Sequence, residues 1–99
     1  MILLKHEENG SIECLYESSN VLGSKYIKGK KKLAVIFKSG LQYVYSDVTY
    51  NDYLKFESAE SQGKVLNSIV KGHKFEKSPD KIDVTPMVEQ INDIKETLW

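Results

Sequence analysis

The sequence predicts an α+β fold: a small antiparallel β-meander of four to five strands, packed by two helices, with a further helix at the C-terminus. Three observations predict it. Asn9-Gly10 separates two strand-like runs, the strongest short-range hairpin signal. Phe37-Lys38-Ser39-Gly40-Leu41-Gln42-Tyr43-Val44-Tyr45 reads as strand, tight Gly turn and strand, with Tyr43 and Tyr45 on one face and Val44 on the other. After Val48 the apolar spacing changes from that of a strand to that of a helix.

Taken in order, the first hairpin joins residues 2–8 to 11–16. Ser18-Ser19-Asn20 breaks the pattern before a strand at 21–27, and Lys28-Gly29-Lys30 turns the chain again. Leu33-Ala34-Val35-Ile36-Phe37 is almost continuously apolar, which predicts a central strand covered on both faces. Ser39-Gly40 leads into a strand at 41–45. Thr49 is a good N-cap with Asp52 at the third helical position, and Tyr50, Tyr53, Leu54 and Phe56 follow at helical spacing. A second helix begins near Ser61, buries Val65, Leu66, Ile69 and Val70, and ends near Gly72. Ser78-Pro79-Asp80 forms a hinge, and Thr85-Pro86 opens the last helix. Its stripe of Met87, Ile91, Ile94 and Leu98, with Trp99 beyond, predicts self-association, the alternative being that the helix packs back on the sheet. One globular domain results, divided into a hairpin extension (1–17), a core (18–78) and a hinge with the C-terminal helix (79–99).

Composition bounds the function. The 99 residues are 40% hydrophobic and 28% charged, enough for a modest core. No apolar run has the length of a membrane span, and Met1-Ile2-Leu3-Leu4 is too short for a signal-peptide core. The expected location is the cytoplasm, that of the host if the chain is phage-encoded. Cys14 is the single cysteine, which excludes an internal disulfide and reads as a small buried hydrophobe rather than a nucleophile. Net charge is 0 and the pI is about 6.7, against bulk electrostatic binding of long nucleic acid but not against a local phosphate site. All 14 residues in the Lys+Arg count are Lys, so the bidentate fork of Arg is missing. His6, His73 and Cys14 have no metal-ligand spacing, and no nucleophile has a visible base. The expectation is a protein with no cofactor and no catalytic residues.

The candidate binding residues fall into four groups. Tyr43 and Tyr45 form either an aromatic core wall or a stacking platform for a flat ligand, with Tyr43 the more structural and Tyr45 the better placed to meet a base. Lys64, Asn67, Ser68 and Lys71 share one stripe of the second helix: a solvated face, or a grip on phosphate and ribose aided by Ser61 and the first-turn N–H groups. Ser18, Ser19 and Asn20 either bond locally or line a pocket mouth. His73, between Lys71 and Lys74, is a surface residue or a phosphate contact, and the basic turn at 28–32 is solvated or steers phosphate.

Several of these residues carry a resemblance. Ser18-Ser19-Asn20-Val21, Leu33-x-Val35-x-Phe37, Gly40-x-x-Tyr43-x-Tyr45, Val48, Tyr53, Ala59-x-Ser61-x-Gly63-Lys64-x-x-Asn67, Ile69 and Lys71-x-x-Lys74-Phe75 together resemble the KTSC domain, across roughly residues 18–76. That family takes its name from the carboxy-terminal segment of some lysyl-tRNA synthetases, and it also stands alone in small bacterial and phage proteins. The resemblance implies an RNA-binding role through the synthetase, while Lys71 and Lys74 stand where an Arg is common and weaken base-specific readout. Short length, neutral charge and lack of Arg favour instead a small nucleotide as ligand, held by a homo-oligomer that sequesters a signalling nucleotide. RNA binding is the alternative, and an adaptor working through the terminal helix is a third.

Overall fold

The structure, a computed structural model, describes residues 2–98, and of Leu98 the backbone alone. Six strands form one antiparallel sheet in sequence order: β1 (Ile2–Glu8), β2 (Ser11–Tyr16), β3 (Val21–Ile27), β4 (Lys32–Phe37), β5 (Gln42–Tyr45) and β6 (Phe75–Lys77). Helices α1 (Tyr50–Glu57) and α2 (Gln62–Ile69) lie between β5 and β6, and α3 (Thr85–Leu98) ends the chain. The fold class and all three helices match the sequence reading. β6 is additional, because three exposed residues carry too little pattern to be read as a strand.

The turns follow from backbone chemistry. Asn9 and Gly10 both take positive φ (51° and 81°), as a two-residue turn matched to strand twist requires. Thr49 caps α1 as its spacing predicts, its hydroxyl accepting from the Asp52 N–H at 3.2 Å.

Strand alternation divides the sheet into two unlike faces. On one, Ile12, Cys14, Tyr16, Tyr26, Leu33 and Val35 meet Tyr53 and Phe56 of α1 and Leu66 of α2. Tyr26 and Tyr53 stack with centroids 4.5 Å apart, and Phe56 meets the ring of Tyr16 edge-on at 5.4 Å. The polar tips are satisfied: Tyr26 donates to the Val48 carbonyl at 2.6 Å, and the Tyr16 hydroxyl pairs with Ser24 at 2.7 Å. Cys14 is buried here, 3.4 Å from the Tyr53 hydroxyl, and burial pushes its thiol pKa up. Gln62, fully buried, donates to the carbonyl of Ala59 in the connection at 2.8 Å and, at 3.5 Å, to that of Phe56 in α1.

α3 lies across the opposite face. Ile91 is 6% exposed and packs with Leu15 and Leu22, and Met87 joins them. Gly23 makes room for it, since a Cβ there would stand 2.7 Å from Met87 Cε and 2.9 Å from the Cys14 carbonyl oxygen. Lys95 reaches Glu17 at 3.2 Å. This corrects the reading of Met87 and Ile91 as an oligomer interface: the sheet has an uncovered apolar face of its own, and these side chains cover it within the same chain. Ile94 is half-buried, while the side chain of Leu98 and all of Trp99 lie outside the described residues.

The coverage is also incomplete, which corrects the expectation for β4. Leu33 and Val35 are buried under α1 and α2, but Ala34 and Ile36 on the α3 side stay half-exposed. They floor a depression of about 610 Å³ walled by Met87 and Gln90.

The buried phenols predict an alkaline limit on stability. Burial raises the pKa of Tyr16, Tyr26 and Tyr53 above the usual 10.0. The folded state therefore holds the phenolic protons more tightly than the unfolded chain, so this stability is whole below about pH 10 and is lost as pH rises further. Tyrosinate absorbance from these three rings should appear together with the loss of far-ultraviolet circular dichroism. Ionisation of all the tyrosines with the dichroism intact would show that the rings reach solvent.

Candidate functional site

The second half of the sheet carries an aromatic row. Antiparallel pairing places Tyr43 opposite Val35, Tyr45 opposite Leu33, and Phe75 opposite Tyr45, so all of these share the face of α1 and α2. Tyr43 lies 5.6 Å from Phe37, 6.2 Å from Tyr45 and 5.7 Å from Phe75, centroid to centroid. Phe75 is 59% exposed, a large apolar surface for a residue on a three-residue edge strand.

The packing of the two tyrosines runs opposite to the expected order. Tyr45 packs against the main core, and desolvation raises its pKa. Tyr43 instead lines a depression of about 290 Å³, with Phe37 and Leu41 as apolar wall and Ser19, Asn20, Lys38 and Ser39 as polar rim. The reason is the position of the helices. The end of β5 carrying Tyr45 leads directly into the buried Val48 and α1, whereas Tyr43 sits toward the Ser39-Gly40 turn.

The rim is assembled from distant segments. The Lys38 N–H donates to the Asn20 carbonyl at 2.8 Å, joining the β2–β3 connection to the β4–β5 turn. Asn20 also abuts α2: a Cβ on Gly63 would stand 2.6 Å from its Oδ1. The absence of a side chain at Gly63 thus admits Asn20, which accounts for both motif positions by close packing. Ser18 Oγ lies 3.4 Å from the Val21 N–H, a long local bond.

Other candidates stand apart. Lys64 and Asn67 are exposed on α2, and Ser68 donates back to the Val65 carbonyl at 2.8 Å within its own helix; Lys71, expected on the same stripe, is exposed in the turn that follows, because α2 ends at Ile69. Ser61 is the N-cap residue of α2 but its side chain makes no capping bond. His73, expected as a surface residue or a phosphate contact, is half-buried, with its Nδ1 2.8 Å from the Ser46 carbonyl oxygen. Lys74 is exposed, and its carbonyl accepts from the Ser46 N–H. In the basic turn, Lys28 pairs with Glu7 at 2.8 Å and lies 4.9 Å over the Tyr50 ring. Among the described residues no group of three His, Cys, Asp or Glu is placed to hold a metal, and no helix is long and apolar enough to cross a membrane.

Sequence reasoning did not single out Phe37 and Lys38, which line the depression, or the exposed Phe75 beside Tyr43. Phe37 continues the face of the buried Leu33 and Val35 on its strand and looks like core, and the exposure of Phe75 depends on a strand that sequence pattern does not reveal. Lys38 carries a signal in hindsight, as the one basic residue in the turn between the two strands that flank Tyr43.

The six-stranded meander, with two helices on one face and one on the other, defines a small α+β domain in which the motif residues Ser19, Asn20, Phe37 and Tyr43 line a shallow aromatic depression. The KTSC domain matches residues 17–75, and the chain belongs to that family. Its structure is similar to the crystal structure of a KTSC domain protein from Yersinia pestis, with a TM-score of 0.62 and 24% identity over 74% of this chain and 99% of that one. No curated protein matches the chain.

Proposed function

We propose that this chain recognises a nucleotide without chemistry, at the depression between Asn20 and Tyr43. The observation that carries the reading is the meeting of an aromatic wall (Tyr43, Phe37) with Lys38, Ser39, Ser19 and Asn20 in one small concavity. A ring suits the π-face of a base, an ammonium suits a phosphate, and hydroxyl and amide groups suit a ribose or a base edge. The concrete form is sequestration of a small phosphate-bearing signalling nucleotide. A net charge of 0 and the absence of Arg support a small ligand over a long polyanion. RNA binding is the second reading, favoured by exposed Phe75 extending the ring series beyond Tyr43.

Calorimetry with a panel of linear and cyclic adenine and guanine nucleotides, and with a short single-stranded RNA, tests both. Tyr43→Ala is expected to cost about 1–3 kcal/mol of affinity, the usual worth of one base stack, with Tyr43→Phe close to wild type. Lys38→Ala should weaken only ligands that carry phosphate. Affinity for RNA, if RNA is the ligand, should fall steeply with salt, and affinity for a mononucleotide much less. Absence of binding across the panel, or unchanged binding in Tyr43→Ala, overturns the assignment.

A further inference from the structure

We propose that two copies of this chain pair edge to edge through β1, in antiparallel register centred on His6. β1 and β6 end the sheet. β6 has three residues, too few to template a partner, whereas β1 has seven and is exposed from Leu4 to Glu8. An edge of this length offers its unpaired backbone groups to another strand.

The turn determines which groups those are. The two-residue turn at Asn9-Gly10 closes on Glu8 and Ser11 as a hydrogen-bonded pair, and bonded and open pairs then alternate along the ladder. Glu8, His6 and Leu4 therefore direct their backbone groups at β2. Glu7 and Lys5 direct theirs outward, to the free edge.

Charge then selects the register. A two-fold axis perpendicular to the sheet passes midway between one residue and its own copy in the facing strand. Centred on Lys5 it sets two ammonium groups opposite each other, and centred on Glu7 it sets two carboxylates opposite each other, both unfavourable. Centred on His6 it sets Lys5 opposite Glu7 of the second copy, and Glu7 opposite its Lys5. Both outward-facing residues then exchange backbone hydrogen bonds as bonded pairs.

Neighbouring charges extend the match. Within one chain Lys5 holds Glu57 at 2.7 Å and Glu7 holds Lys28 at 2.8 Å, all on the face of α1. Across the axis these join as Glu57–Lys5 followed by Glu7–Lys28 of the second copy, a string of alternating sign that occurs twice. Edge charges ordinarily prevent pairing. Here they prevent every symmetric register centred on a charged, outward-facing residue and favour this one.

Sedimentation of the full chain at micromolar concentration, with circular dichroism of each variant as a check on folding, tests the proposal. Wild type should sediment as a dimer. Glu7→Pro removes an outward N–H without touching the β1–β2 ladder, so it should be a folded monomer. Glu7→Lys sets Lys against Lys5, and Lys5→Glu sets Glu against Glu7, so each alone should be monomeric. An equimolar mixture of these two restores both opposite-charge pairs and should sediment as a heterodimer. A monomeric wild type, or a dimer indifferent to Glu7→Pro, overturns the proposal. β1 lies at the far end of the sheet from Tyr43 and Phe75, so this result is independent of nucleotide binding.

Discussion

Phe56→Ala is expected to remove about 3–5 kcal/mol of stability, close to the whole stability of a small domain. Phe56 is fully buried, edge-on to Tyr16, at the point where the last turn of α1 meets the sheet. Its carbonyl also accepts from the Ala59 N–H at 3.3 Å, so the turn into α2 is built on the same residue. The cavity left by the ring cannot close easily, because Tyr16 is held to Ser24 and Tyr53 is stacked on Tyr26. Urea denaturation followed by tryptophan-independent circular dichroism measures the loss directly. Phe56→Leu, which keeps most of the volume, should lose much less. A loss under about 1 kcal/mol in the Ala variant would mean that α1 does not anchor the core.

Gly40→Ala is the second large effect, and its origin is backbone rather than packing. Gly40 has φ +89°, where an L side chain is strained by about 1–3 kcal/mol. A Cβ would also stand 2.8 Å from the Ile82 carbonyl oxygen, a rigid neighbour. Ile82 is fixed there because its N–H donates to the Gly40 carbonyl at 2.9 Å. The strain therefore reaches the strap that carries the chain from β6 to α3. The expected result is a lowered denaturation midpoint larger than that of Gly63→Ala, whose Cβ meets a side-chain amide able to rotate. Equal effects from the two substitutions would show that the turn at Gly40 adapts.

Much of the fold was legible because its signals are local. Asn9-Gly10, Thr49 with Asp52, and the change of apolar period after Val48 each act within a few residues, and each stands where it was read. The missing pieces depend on what lies opposite in space. Ile91 reads as an exposed stripe until the sheet beneath it proves to need a cover, and β6 forms because β5 offers it an edge. The site followed the same division. Ser19, Asn20 and Tyr43 were found by type and motif, and the structure brings them together. The relative cover of Tyr43 and Tyr45 was not legible, because strand alternation puts them on the same face and cannot say which one the helix covers. Gly63 and Asn20 were seen separately, and their contact across the chain explains both.

The meander has a consequence for the order of assembly. From β1 through β5 each strand pairs with the one immediately before it, so those ladders close over short turns at little entropic cost. β6 alone must wait until α1 and α2 have been laid down, since both helices stand between it and β5. Its three-residue ladder is the least local pairing in the sheet and returns the fewest bonds for the loop it closes. The strand that brings Phe75 beside Tyr43 is thus expected to dock last and fray first, which hydrogen exchange of the β5–β6 amides would check. A base stacked on both Tyr43 and Phe75, as the RNA reading proposes, would clamp that strand and couple its own binding to closure of the sheet's far edge.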